Sequence, residues 1–302
     1  MRAVRFDKYG GIDVLRVDDA PMPVPGDGEV LVKVQAAAIN PGETKIREGF
    51  FHSTWPATFP SGEGSDFSGI VMKSGASASQ FQVGDQVLGF TDKRASHADY
   101  VLAEPQNMTR KPGSIPWDVA ASLPIAGSTA YACVRAVALK PGDTVAVSGA
   151  GGGVGSITVQ LAKRTGAKVI GIASVSKHDW LVTHGIEPVV YGDGLADALR
   201  KYRLSAFIDT HGAGYVKLAM ELGIPRDRIN TIIDFPAAKE YGVKAEGGQT
   251  AKTASVLAEL VALVVSGDLD VPIAATFPLG QVREAYKLLE QGHTFGKIVL
   301  LP

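Results

Sequence analysis

Residues 29–39, EVLVKVQAAAI, alternate in character. Val30, Val32 and Val34 share one side and Leu31, Lys33 and Gln35 the other, which predicts a strand with one buried face. Short apolar runs at 69–72, 86–90 and 99–102 follow, set off by the turn-forming stretches KSGAS, VGD and PGS. Together they predict a small, irregular, mostly antiparallel lobe. Past residue 140 the period changes. DTVAVSG (143–149) reads as a buried strand, VGSITVQLAKRTG (154–166) has helical spacing and closes on glycine, and KVIGIAS (168–174) is a strand again. The alternation continues through helical KHDWLVTHG, strand PVVYG, helical LADALRKY, strand SAFIDT, helical YVKLAMELG and strand RINTIID. Strands alternating with helices predict a parallel α/β sheet with crossover connections.

Length and charge narrow the function. A chain of 302 residues exceeds the commonest single-core size, so two lobes are expected. Thirty basic against 31 acidic side chains leave a formal net charge of −1, which gives no reason to expect nucleic acid or an anionic membrane as partner. The N-terminal MRAVRFDKYG has no apolar stretch of signal-peptide length. The most apolar later segment, ASVLAELVALVVSG, is interrupted by Glu259 and is too short to span a bilayer. The single cysteine, Cys133, can form neither an intramolecular disulfide nor a cysteine-based zinc site. Its setting, TAYACVRAV, reads as an apolar helix and predicts a buried, inert thiol. A soluble protein of a reducing compartment, the cytoplasm, is the expectation.

The stretch SGAGGGVGS (148–156) holds five glycines in nine residues, costly inside any regular element. It falls between the first strand of the parallel series and the helix after it, the turn that holds the pyrophosphate in a dinucleotide-binding fold. Bare backbone lets phosphate oxygens approach amide N–H groups, and the helix N-terminus adds partial positive charge. The usual G-x-G-x-x-G spacing here reads Ala150-Gly151-Gly152-Gly153-Val154-Gly155. Gly152 would admit the phosphate and Gly155 would let the helix pack on the strand. A tight turn without a ligand is the plainer alternative, and the flanking strand and helix favour cofactor binding over it.

An NAD site carries Asp or Glu about 20 residues on, at the tip of the second strand. Here that tip is Ala173-Ser174, followed by Ser176 and Lys177, with no carboxylate. Hydroxyls and a cation suit a 2′-phosphate, so NADPH is favoured over NADH. Lys177 could equally be a solvated residue opening the next helix, and the missing carboxylate is the stronger half of the argument.

Seven stretches in order carry a resemblance: VLVKVQAAAINPGETKIREG (30–49), GSDFSGIV (64–71), VGDQVLGF (83–90), LPIAGSTAY (123–131), GAGGGVGSITVQLAK (149–163), FIDT (207–210) and GHTFGKIVL (292–300). In these the chain resembles the zinc-independent medium-chain dehydrogenases/reductases of the quinone oxidoreductase (zeta-crystallin-like) type, almost end to end. The resemblance implies a GroES-like, mostly antiparallel β lobe plus a Rossmann doubly wound parallel sheet. We expect 1–119 to be the GroES-like catalytic domain, 120–261 the NADPH-binding domain, and 262–302 a segment returning to the catalytic domain. It also implies a homodimer, with the nicotinamide in the cleft between lobes. Asn40 and Thr129 would flank the nicotinamide and the substrate carbonyl. Tyr191 matches a position near the adenosine ribose, and Phe235, Gly296 and Lys297 match positions beside the cofactor. A turn role for Asn40 before Pro41, and simple packing for Tyr191 and Phe235, remain open.

Relatives that use zinc carry Cys where this chain has Asn40 and His-Glu where it has Ser65-Asp66, and they add a four-cysteine lobe that this chain lacks. No metal is therefore expected. His52, His97, His178, His184, His211 and His293 show no paired ligand spacing and read as surface or packing residues. Two positions depart from many relatives: Glu43 replaces Asp in the NPxD motif, and Phe50-Phe51 replaces a tyrosine near the substrate. A protein-borne proton donor is thus doubtful, and water is the expected source. The expected activity is NADPH-dependent reduction of a quinone or other electron-poor conjugated carbonyl. Reduction of an enoyl thioester or alkenal, or a non-catalytic NADPH-binding role, are the alternatives.

Overall fold

A computed structural model describes all 302 residues. The chain divides into two compact units: residues 1–125, 253–267 and 273–302 form the first, and 126–252 with 268–272 the second. The helix Ala254–Ser266 thus counts with the first unit.

In the first unit a seven-stranded sheet is organised around Val30–Ala38. One edge of that strand pairs antiparallel with Asp66–Ser74, which in turn pairs with Gln86–Phe90 and then Met108–Arg110. The other edge is shared. Tyr100–Ala103 lies along residues 30–33, and Lys297–Leu301 meets Ala37 and Ala38. The alternation is realised in part: the valine face is buried, but Leu31 on the opposite face is buried too. Val30, Val32 and Val34 pack with Phe67, Val71, Val87 and Met108, while Lys33 is exposed. It ends at Ala36–Ala38, where both faces are covered: Ala36 and Ala38 lie against Ala121 and Trp117, and Ala37 against the valine core. Alanine suits a strand with no room on either side.

The mostly antiparallel character has one exception. Ile273–Pro278 and Lys297–Leu301 run parallel, with the helix Val282–Gln291 between them in sequence. That helix buries Val282, Ala285 and Tyr286 against Phe6, Leu15, Ile39, Ile298 and Leu300.

The second unit is a five-stranded, wholly parallel sheet in the order Glu187–Val189, Lys168–Ile172, Thr144–Val147, Ala206–Asp209, Ile229–Thr231. Consecutive residues feed opposite faces. Val145, Val147, Val169 and Ile208 enter a core with Cys133 and Val159, while Ala146, Ile170, Phe207 and Ile229 enter one with Leu199 and Tyr215. Cys133 is buried, and desolvation pushes its thiol up to about 12. No helix of the structure is long and apolar enough to cross a membrane.

Candidate active site

In the second unit the strand order reverses between Thr144–Val147 and Ala206–Asp209, the place where doubly wound sheets bind ligands at the carboxyl ends of their strands. A buried carboxylate fixes those ends. Asp209 Oδ1 accepts from Ser148 Oγ at 2.6 Å, Gly212 N at 2.9 Å and His211 N at 3.0 Å, and its Oδ2 accepts from Thr231 Oγ1 at 2.8 Å.

The glycine turn leaves the first strand here. Gly149 sits at φ +62°, and its carbonyl accepts from Gly152 N at 2.8 Å. The Gly152 carbonyl then accepts from Ser156 N at 3.0 Å, inside the helix Gly155–Arg164. No side chain caps that helix at Val154. The amides of Gly153, Val154 and Gly155 thus stand at an uncapped helix start, suited to an anion. Ser156 Oγ is buried with no hydrogen-bond partner within the protein. A Cβ at Gly155 would lie 2.0 Å from the Gly149 carbonyl oxygen, so this glycine is a packing requirement. At Gly152 the corresponding approach is 3.2 Å.

Of the cofactor residues expected on the neighbouring strands, Lys177 reaches the turn. Lys177 lies across the turn, with its Cγ 2.9 Å from where a Cβ on Gly151 would be. Ser174 Oγ is 3.1 Å from Ser176 Oγ at the tip of the second strand. Tyr191 follows the neighbouring third strand and is exposed. Phe235, also exposed, opens the helix Phe235–Tyr241 after the fifth strand, at the opposite edge of the sheet. Thr129 is buried in the helix Pro124–Ala136. The turn therefore fits a dinucleotide.

In the first unit Asn40 sits where Val30–Ala38 gives way to the helix Pro41–Arg47, as its N-cap in a capping box with Glu43. Glu43 Oε2 accepts from the Asn40 backbone at 2.8 Å and from the Tyr286 hydroxyl at 2.8 Å. Glu43 Oε1 accepts from Ser65 N at 3.0 Å and from Asn40 Nδ2 at 3.2 Å. Asn40 Nδ2 also donates to Asp66 Oδ2 at 2.9 Å. Lys297 Nζ donates to Asn40 Oδ1 at 2.6 Å and to the Ile39 carbonyl at 2.9 Å, and lies 3.9 Å from Asp66. Asn40, Glu43, Asp66 and Lys297 are all buried. Gly296, just before Lys297, takes φ +85°.

Burial pushes the Asp66 carboxyl up to about 7, against the attraction of Lys297 and a hydrogen bond from Asn40. Burial likewise lowers the Lys297 ammonium, against the attraction of Asp66 and Glu43. His97 is buried at the rim of this cluster, with Nε2 3.3 Å from the Ala38 carbonyl and 3.9 Å from Glu43. Desolvation lowers its pKa, so it is the neutral imidazole that packs there. Asn40 and Lys297 are marked in the sequence, whereas nothing in the sequence joins Tyr286 and His97 to them in one centre. The N-x-x-E capping box in NPGE was the available signal for Glu43.

The fold is shared with solved structures and known families. Residues 26–141 match the alcohol dehydrogenase GroES-like domain, and residues 193–300 match the zinc-binding dehydrogenase model. The chain is 30% identical to the quinone oxidoreductase of Homo sapiens, over all of this chain and 98% of that protein. The chain belongs to the quinone oxidoreductase family of medium-chain dehydrogenases/reductases. It is an oxidoreductase with the GroES-like and Rossmann architecture of that family. It is also 30% identical to the chloroplastic NADPH-dependent alkenal/one oxidoreductase of Arabidopsis thaliana, over all of this chain and 80% of that protein. The structure of the quinone oxidoreductase from Coxiella burnetii superposes with a TM-score of 0.89 at 31% identity, covering all of this chain and 99% of that one. The chain gathers no group of three or more His, Cys, Asp or Glu side chains able to hold a metal ion. The Asn40 carboxamide oxygen faces an ammonium, and Ser65 contributes a backbone N–H to Glu43. These residues do not fit zinc.

Proposed function

We propose that this chain is an NADPH-dependent reductase of quinones or other electron-poor conjugated carbonyls, working without zinc. NADPH, when bound, supplies the hydride. The protein contributes binding and electrostatics. Gly151, Gly152, Gly153, Val154 and Gly155 would hold the pyrophosphate against backbone amides and the helix start. Ser174 and Lys177 would take the 2′-phosphate, and Tyr191 the adenosine ribose. Phe235 and Gly296 would line the cofactor. Asn40 and Thr129 would hold the acceptor carbonyl with neutral hydrogen-bonding groups. The protein is further proposed to be a homodimer, by its resemblance to the family, and cytoplasmic, its one cysteine being free and buried.

The observation that carries the reading is the donor set around Asn40. It offers neutral N–H groups and a buried ammonium in place of a Lewis acid. A simple ketone or alcohol needs stronger polarisation than that. A quinone or enone delocalises the oxyanion it gains, and preorganised donors suffice to stabilise it. Asn40 must release one Nδ2 hydrogen to do so. The bond to Glu43 is the one to give up: it is the longer of the two, and Glu43 keeps three other donors. The likeness to an alkenal/one oxidoreductase supports enals and enones beside quinones.

A panel of acceptors tests this, run with NADPH after exhaustive chelation. Small ortho- and para-quinones or alkenals should be reduced, and ethanol and simple ketones should not react. NADPH binding without turnover of any acceptor would favour a non-catalytic role. Efficient oxidation of simple alcohols would refute the mechanism.

A further inference from the structure

Lys297 stands on the last strand of the first unit, 257 residues from the asparagine it touches. The sequence marks it as a cofactor neighbour, but its ammonium is buried and turned inward. Two of its hydrogen bonds end on consecutive residues, the carbonyl of Ile39 and the carboxamide oxygen of Asn40. Ile39 is held from the same strand by a second tie, its N–H donating to the Ile298 carbonyl at 3.0 Å. The corner that carries Asn40 is thus fastened to Lys297 through main chain and side chain together.

The chemistry of the partners leaves the amide one orientation. An ammonium can only donate, and Asp66 and Glu43, when ionised, can only accept. Oδ1 must therefore face Lys297 and Nδ2 the two acids. A charge-assisted bond onto an amide oxygen also draws electrons from its nitrogen and strengthens the N–H donors, as linked hydrogen bonds polarise one another. Without Lys297, Asn40 Oδ1 would lose its donor, and Asp66 and Glu43 would share the amide with no cation between them.

We propose that Lys297 is a positioning residue that acts through Asn40, holding its carboxamide in place and polarised as a donor to the negative charge that develops on the acceptor. The inference rests on the reductase reading above. It assigns Lys297 a role apart from binding the cofactor.

The test compares K297M with the double variant K297M/D66N, which removes the cation and its buried counter-charge together. Two readouts are used. In the cofactor-free protein, the Asn40 side-chain NH2 resonances, assigned by their loss in N40A, should be resolved and displaced from those of exposed amides. They should move toward exposed-amide values in both variants. In steady state, kcat should fall roughly 10- to 100-fold in both, the scale set by outer partners that orient a site group, while the NADPH dissociation constant stays within about threefold. Wild-type turnover, measured first, belongs to the functional reading; the ratio of variant to wild type belongs to Lys297. Recovery of wild-type kcat in the double variant would mean that Lys297 only neutralises Asp66, and would overturn the proposal. So would unmoved Asn40 resonances, a loss confined to NADPH affinity, or failure of both variants to fold.

Discussion

Replacing Gly155 with alanine pits two opposing effects against each other at one atom. Gly155 opens its helix, so alanine there gains less than the about 0.5–1 kcal/mol it holds over glycine in a helix interior. Against this, the new Cβ would stand 2.0 Å from the Gly149 carbonyl oxygen, 2.7 Å from its carbon and 3.1 Å from the Ala150 Cα. A carbon keeps about 3.3 Å or more from a carbonyl oxygen even in close backbone contacts, so the helix start must retreat by roughly 1 Å. No flexible side chain can absorb the shift, because every nearby atom is main chain. The Gly149 carbonyl also anchors the turn through Gly152 N. Overpacking of this kind costs about 1–3 kcal/mol, so the clash outweighs the helical gain. Thermal unfolding should show a fall in Tm of a few degrees, at about 2–4 °C per kcal/mol for large domains. Fluorescence titration should show weaker NADPH binding in the same variant. At Gly152 the Cβ meets the Gly149 oxygen at 3.2 Å, which a few tenths of an ångström relieves. Gly152→Val should therefore leave Tm nearly unchanged while weakening NADPH. Wild-type Tm and wild-type NADPH affinity in Gly155→Ala would refute the packing argument, and normal NADPH binding by Gly152→Val would reduce the loop to a turn.

Two further expectations follow from the site. Lys177→Ala should weaken NADPH by about 10- to 150-fold, the worth of one charge-assisted bond at roughly 1.5–3 kcal/mol, and NADH far less; equal weakening of both would remove Lys177 from the phosphate site. Burial holds the His97 imidazole below its ordinary pKa, so its contribution to stability is present above about pH 6.5 and is lost as pH falls. The stability advantage of the wild type over His97→Asn, measured by denaturant unfolding, should therefore shrink between pH 7.5 and pH 5, by at most ~1.4 kcal/mol per pH unit. Asp66 and Glu63, whose carboxyls burial raises to about 7, titrate in both proteins and cancel in the difference. A difference independent of pH would refute the assignment.

What the sequence discloses is the local part of this architecture. Val30, Val32 and Val34 announce their strand, and the glycine turn announces itself between a strand and a helix, because both signals lie within a few residues. The doubly wound sheet and the oxidoreductase family were readable on the same basis. Ala36–Ala38 break the alternation because both faces are covered there, which no pattern within that strand could reveal. The centre around Asn40 was only half visible. Glu43 is three residues away and legible as a capping box, but Asp66, Tyr286 and Lys297 are brought in by strand pairing and helix packing across 26 to 257 residues. His97 looked like a packing residue in sequence, and only its proximity to Glu43 distinguishes it.

That separation has a consequence for how the protein is made. The parallel sheet of the second unit lies within residues 144–231 and can pair as soon as those residues have left the ribosome. The strand Val30–Ala38 emerges early, yet the edge beside Ala37 and Ala38 stays bare until Lys297–Leu301 arrives. At about 5–20 residues per second, the interval between Asn40 and Lys297 is roughly 13–50 s. Through that interval Asp66 and Glu43 have no cation to meet, and the strand end is open to mispairing. The first unit is thus begun first and completed last, which makes its closing strand the step most exposed to chaperones and to competing chains.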